Sequence, residues 1–259
     1  MAALLELQSV TKDFGKLQAV SDLDFNVMEG EIHSLIGPNG AGKTTVFNLI
    51  TGSLPVTSGA VFFRGEDITR LEPHQIAQRG VTRSFQQSFL FMHSSVLENV
   101  LTGFHMKSRT GPLREFLHTA GARKKDLECT NEALEIIEFM GLRGMKNELA
   151  ANLPHGHQRA LGVSIALACN PTLLLLDEPV TGMNPSETRE MVERIRKIRD
   201  RGITIVLVEH TMRVVMDVSD RITVLSYGRK IAEGQHREIR RNEAVIEAYL
   251  GKEETLDAD

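Results

Sequence analysis

Apolar residues along this chain gather in short, dense stretches broken by Gly, Asp and Pro. Leu4–Val10, Leu23–Val27, Ile32–Ile36 and Gly59–Phe63 have the length and composition of strands. A helix opening at Gly42 and running on through Val46–Thr51 follows the third of them, and a turn at Ser53–Ser58 precedes the fourth. Ile68–Gly80 reads as a turn and a short helix with Pro73 near its start. Beyond residue 158 the alternation resumes. Gln158–Cys169 predicts a helix, Thr172–Leu176 a buried strand and Ser186–Arg201 a charged amphipathic helix. Ile203–Val208, Met212–Val218 and Ile222–Ser226 then read as strand, helix and strand. Near-continuous apolar strands alternating with helices predict an α/β fold with a parallel sheet covered on both faces.

Residues 90–155 break this rhythm. They are rich in Leu, Glu, Lys and Arg, and Glu132–Met140 carries apolar residues at helical spacing, so this stretch reads as a mostly helical subdomain. Ser108–Arg123, with Gly111, Pro112 and Gly121, reads as an exposed loop holding a short helix, and Lys252–Asp259 as a frayed acidic tail. Composition narrows the picture only a little. The chain has 259 residues, 41% hydrophobic and 25% charged, as expected of a globular protein. A net charge of -4 without a basic patch argues against nucleic acid as the main partner. Cys129 and Cys169 form no CxxC pair, so neither a disulfide nor a metal site is expected. The N-terminus lacks a basic start and a sustained apolar stretch, and is not read as a signal peptide. No stretch approaches the ~18 apolar residues of a membrane span. Any work at a membrane would depend on partners.

The chemistry begins at Gly37-Pro38-Asn39-Gly40-Ala41-Gly42-Lys43-Thr44-Thr45, which fits G-x-x-x-x-G-K-[ST] between a strand and a helix. Glycines let backbone N–H groups curl around an anion, and the helix N-terminus adds partial positive charge. Lys43 would sit at the β- and γ-phosphates, and Thr44 offers a hydroxyl to Mg²⁺. An incidental Gly-rich turn would not need both the full pattern and its strand–helix setting. A second cluster follows the buried strand at Thr172–Leu176. Asp177 stands at the strand's C-terminal end, suited to hold Mg²⁺, and Glu178 beside it could polarise an attacking water. Taken alone, Asp177-Glu178-Pro179 is also good turn composition. The phosphate loop upstream favours the catalytic reading.

These residues resemble the ATP-binding subunits of ABC transporters, over about residues 4 to 251, read as a single domain. The resemblance implies a P-loop NTPase of ABC type: a mixed or parallel sheet core, an antiparallel β subdomain and a helical subdomain. It also implies roles for residues that carry little meaning alone. Phe14, in Lys12-Asp-Phe-Gly, stands where the family stacks an aromatic on adenine; its plain alternative is a core Phe. Gln86 matches the glutamine loop, which contacts Mg²⁺ or the attacking water. Leu153-Pro-His-Gly-His-Gln-Arg159 matches the signature segment, through which Pro154, Gly156 and His157 would face the ATP of a second ATPase subunit. Thr181-Gly-Met-Asn-Pro185 matches the loop that crosses the dimer interface. His210 matches the switch histidine that orients the γ-phosphate and water. In the family two such subunits, identical or different, close head-to-tail around two ATP molecules. They drive transmembrane permease subunits at the cytoplasmic face of the membrane, and an extracytoplasmic solute-binding protein takes part indirectly.

Finer cues resemble the ATPase subunits of branched-chain amino acid importers, the 108–123 insertion matching the longer of the two: Ala19-Val20, Asp177 to Pro185, and Val245-Ile-Glu-Ala-Tyr-Leu-Gly251. Two positions depart from the ABC pattern. Pro154 replaces the signature serine and so lacks the hydroxyl that would reach the γ-phosphate. That leaves either a weakened composite site or a variant in which His155 or His157 supplies a donor. Asn184 replaces a common Asp, which keeps hydrogen bonding but removes charge. Three further function classes weigh against the importer. An exporter ATPase shares the motifs. A soluble ABC ATPase acting on ribosomes or DNA usually carries two cassettes or a long coiled-coil insertion. A non-hydrolysing sensor would not need Glu178 and His210.

Overall fold

A computed structural model describes residues 3–84, 90–104 and 120–250 of the chain. The strands, in chain order, are β1 (Ala3–Phe14), β2 (Leu17–Met28), β3 (Ile32–Ile36), β4 (Ser58–Phe63), β5 (Glu66–Asp67), β6 (Val81–Arg83), β7 (Leu173–Asp177), β8 (Thr204–Val208), β9 (Arg221–Ser226) and β10 (Arg229–Gly234). The helices are α1 (Lys43–Ile50), α2 (Pro73–Gln78), α3 (Val96–Phe104), α4 (Ala120–Phe139), α5 (His155–Ala168), α6 (Pro185–Asp200), α7 (Met212–Val218), α8 (His236–Ile239) and α9 (Glu243–Leu250). They divide into two compact units, Met1–Arg79 with Arg196–Asp259, and Gly80–Ile195.

The first unit contains two sets of strands. One is an antiparallel sheet in the order β2-β1-β4-β5. Its two long strands run further than the hydrophobic pattern predicts. Lys12, Asp13 and Phe14 of β1 still pair with Val20, Gln18 and Leu17 of β2. Backbone pairing continues past the last buried side chain because the ladder bonds do not depend on side-chain polarity. In the other set β10, β9, β3 and β8 lie side by side. β3 pairs in parallel with both β8 and β9, and all five of its residues are buried. A strand covered on both faces needs the continuous apolar run read from the sequence. β10 joins β9 in antiparallel register, which makes the set mixed rather than wholly parallel. Its residues, Arg-Lys-Ile-Ala-Glu-Gly, carry no strand pattern because none of them is fully buried.

His33 at the start of β3 is buried in a polar cluster. Its Nε2 lies 2.8 Å from Thr223 Oγ1 and its Nδ1 3.2 Å from Glu31 Oε1, while Arg221 Nη2 donates to the same Glu31 oxygen at 2.9 Å. Burial pushes the His33 imidazole below its ordinary range, and this outweighs the carboxylate beside it. Burial raises Glu31. Hydrogen bonds from His33 and the Met28 N–H, helped by the charges of His33 and Arg221, bring it below its ordinary value.

In the second unit β6 runs parallel to β7, with Thr82 opposite Leu174. Between 90 and 155 the described residues form α3, α4 and two short 3₁₀ turns at Arg143–Met145 and Ala150–Asn152. The predicted loop over Ser108–Arg123 falls mostly outside the described residues, and α4 begins within its last part, at Ala120. The predicted tail at 252–259 lies outside them too. Among the described residues no helix is long and apolar enough to cross a membrane.

Candidate functional site

Buried strand β3 delivers the chain into the phosphate loop. A Cβ at Gly37 would stand 2.2 Å from the carbonyl oxygen of Leu225, so no side chain fits there. Gly42 is the N-cap of α1 with φ 102, and a Cβ there would lie 2.6 Å from the Ala19 carbonyl oxygen. Neighbouring backbone therefore imposes glycine at positions 37 and 42. The loop is also tied down from outside: the Ala41 N–H donates to Pro38 O at 3.1 Å, and the Gly228 N–H donates to Ala41 O at 3.0 Å. Lys43 Nζ donates to Gly37 O at 2.7 Å and Pro38 O at 3.0 Å, so its ammonium stands over the loop. α1 has no side-chain cap and no acidic residue in its first turn. Its opening N–H groups favour an anion. Thr44 and Asn39 are exposed, Pro38 and Thr45 half-buried, and Ala41 buried.

The same unit holds two further predicted residues. Phe14 ends β1 with 45% of its surface exposed, which rejects the core-Phe alternative. Lys12 Nζ lies 5.0 Å from its ring centroid. His210 follows β8 with its side chain 56% exposed. Sequence reading passed over its neighbour. Glu209 is fully buried, and its Oε2 accepts the N–H groups of His210 at 3.1 Å and Thr211 at 3.2 Å. A Glu straight after an apolar strand was the available signal. Tyr249 of α9 is another such residue. It packs against the buried cluster that includes Ile36, and burial pushes its phenol up despite a backbone hydrogen bond from Gly37.

In the second unit Asp177 ends β7 with 5% of its surface exposed. Its Oδ2 accepts from Arg83 Nη2 at 2.5 Å, and its N–H donates to Ser84 Oγ at 3.4 Å. Glu178 takes a left-handed backbone with φ 48, which is costly for a residue with a Cβ and is a mark of sites that hold strain. Thr181 Oγ1 donates to its Oε2 at 3.3 Å. Asp177 and Glu178 are both hard oxygen donors. Mg²⁺ is commonly held by one or two such groups plus phosphate oxygens, so the donor set fits it without a protein cage. Among the described residues no group of three or more His, Cys, Asp and Glu forms such a cage.

Pro154 is the N-cap of α5, with φ -55 and no side-chain cap bond. Gly156 is buried, and a Cβ there would stand 3.2 Å from the Glu187 carboxylate. The bare side of this glycine thus faces an acid. His157 Nδ1 is buried and has no hydrogen-bond partner among the described residues. Gln158 fastens the turn before the helix, its Nε2 donating to Leu153 O at 3.0 Å and Ala150 O at 3.2 Å. Asn184 opens α6. Its Oδ1 accepts the N–H groups of Ser186 at 2.9 Å and Glu187 at 3.1 Å, while Glu187 Oε2 accepts the Asn184 N–H at 2.9 Å. Its side-chain oxygen caps α6. Gln86 lies outside the described residues.

The family model for ABC transporters matches residues 20–181. The chain is 42% identical to LivG, the high-affinity branched-chain amino acid transport ATP-binding protein of Salmonella typhimurium, over 96% of this chain and 98% of that protein. The chain belongs to the ABC transporter ATP-binding family. This cassette is also 39% identical to BraF of Pseudomonas aeruginosa, a branched-chain amino acid transport ATP-binding protein, over 96% and 98% of the two chains. Its residues 229–255 match the model of the branched-chain amino acid ATP-binding cassette transporter. Among solved structures, a nucleotide-free ATP-binding cassette from an ABC transporter superposes with TM-score 0.84 at 30% identity, covering 96% of this chain and 99% of that one. The ADP conformation of an ATP-binding cassette gives TM-score 0.84 at 29% identity, covering 97% and 100%. The cassette is an ATP-binding ABC ATPase with the α/β fold expected of it.

Proposed function

We propose that this cassette is the ATP-hydrolysing subunit of an importer for branched-chain amino acids or related small solutes. One observation carries the reading. The likeness to LivG and BraF runs almost end to end, and it includes the segment 229–255 that lies beyond the general ABC match. Residues 4–251 act as one ABC ATPase domain. Lys43 and the N–H groups of Gly37–Thr45 hold the phosphates, and Phe14 stacks on adenine. Thr44, Gln86 and Asp177 hold Mg²⁺, which supplies charge neutralisation at the phosphates. Glu178 takes the proton of the attacking water, and His210 orients that water and the γ-phosphate. Pro154, Gly156 and His157 face the ATP of a second ATPase subunit, the same or different. The dimer drives transmembrane permease subunits from the cytoplasmic face of the plasma membrane, with a solute-binding protein acting on those subunits from outside. Nucleic acid plays no part.

The test is reconstitution with the permeases into proteoliposomes. Glu178→Gln should lower ATP turnover by about a hundredfold or more while ATP still binds. Turnover stimulated by leucine-loaded binding protein supports the importer, and normal turnover in Glu178→Gln rules out the assigned base.

A further inference from the structure

Arg83 ends β6, and Asp177 ends the neighbouring strand β7. Arg83 pairs with Leu175 in the ladder, two residues before Asp177 and on the same face of β7, and the Ser84 N–H donates to Leu175 O at 2.8 Å. The guanidinium reaches across, and its Nη2 meets Asp177 Oδ2 at 2.5 Å. The side chains are only 18% and 3% exposed. A carboxylate this buried needs a counter-charge, and a guanidinium cannot shed its proton to withdraw one. Nothing in the phosphate-loop or acid-pair motifs asks for a cation at position 83.

We propose that Arg83 is a positioning residue that serves Asp177 as a built-in counter-ion and competes with Mg²⁺ for its carboxylate, thereby setting how much divalent metal nucleotide binding requires. The proposal rests on the reading of Asp177 as a metal-holding residue. Its physical basis is direct. A guanidinium on Oδ2 withdraws negative charge from the oxygens a divalent cation would use, and it repels that cation at short range. The same ion pair fixes the rotamer of Asp177, so the carboxylate is already in place when a metal–nucleotide complex arrives.

The experiment measures Mn²⁺ by the electron paramagnetic resonance of the free ion, with ATP present in a Glu178→Gln background that prevents turnover. Binding of a fluorescent ATP analogue in EDTA serves as the metal-free arm. Arg83→Met should lower the half-saturating Mn²⁺ concentration by roughly tenfold, the effect of one strong charge contact, and leave metal-free nucleotide affinity unchanged. Arg83→Lys, which keeps the charge but loses the planar fork, should shift it part-way in the same direction and serves if the methionine variant fails to fold. In an Asp177→Asn background the Arg83 effect should vanish. Unchanged or weaker Mn²⁺ binding in these Arg83 variants, with Asp177→Asn itself impaired, would overturn the competition alone. Mn²⁺ binding indifferent to Asp177→Asn would overturn the metal-holding reading as well.

Discussion

Asn184 and Pro154 both stand at helix starts, and the structure gives them opposite local roles. Asn184 caps α6 with two hydrogen bonds from its side-chain oxygen, whereas Pro154 opens α5 with none. Asn184→Ala should therefore destabilise the cassette by about 1 kcal/mol, measurable as a lowered urea midpoint. Pro154→Ser supplies a capping hydroxyl and should stabilise the cassette by about 0.5 kcal/mol or more, seen as a raised urea midpoint. His33 gives a pH dependence at the same scale. Its folded pKa lies below its ordinary value of 6.5, so the unfolded chain binds a proton that the folded one refuses. Stability should fall as pH drops from 6.5 through the folded pKa, and be unaffected by this group at higher pH. Glu31 is shifted the other way relative to its charge, and its contribution is lost only below its ordinary value of 4.5. His33→Gln should flatten the upper window and also shrink the lower one, because the His33 hydrogen bond helps hold Glu31 down, as read by denaturant titrations at stepped pH. Of these residues the sequence marked Pro154 and Asn184 as departures from a pattern. It could not mark His33, because a polar residue inside a strand discloses its partners only when β9 is in place.

At the scale of elements, the site residues stand at strand ends. β3, β7 and β8 are buried along their whole lengths, and each hands the chain to a loop carrying Gly37, Glu178 or His210. Burial on both faces fixes each strand's register, and so fixes where its loop begins. Leu174→Ala in the middle of β7 should cost about 2–5 kcal/mol, checked by thermal or chemical unfolding of the purified cassette. These strands were legible from their apolar runs, and the helices α5, α6 and α7 from their spacing. The outer parts of β1 and β2 and the whole of β10 were not, since edge and hairpin residues pair by backbone hydrogen bonds with half-exposed, mixed side chains. β6, of only three residues, is too short for any periodicity to declare.

For the whole molecule, the decisive prediction concerns two cassettes working together. If Pro154 faces a partner's ATP, Pro154→Ser should leave assembly intact and change turnover only in the partner's site. A heterodimer in which the other subunit alone can hydrolyse tests this, because an unchanged ATPase rate there removes any weakening by the proline. The sequence by itself determined the fold class, the phosphate loop and the acid pair, because these rest on local spacing: glycines where backbone crowds, a lysine at a helix start, carboxylates at the end of an apolar run. It also carried the family, since those motifs recur in one order. Tertiary structure alone decided which of these groups are already engaged. Arg83 and Asp177 lie 94 positions apart in the chain and meet only because β6 and β7 pair. The glycine side facing Glu187, the cap made by Asn184 and the buried neutral His33 arise likewise, from through-space contacts for which a linear pattern has no term.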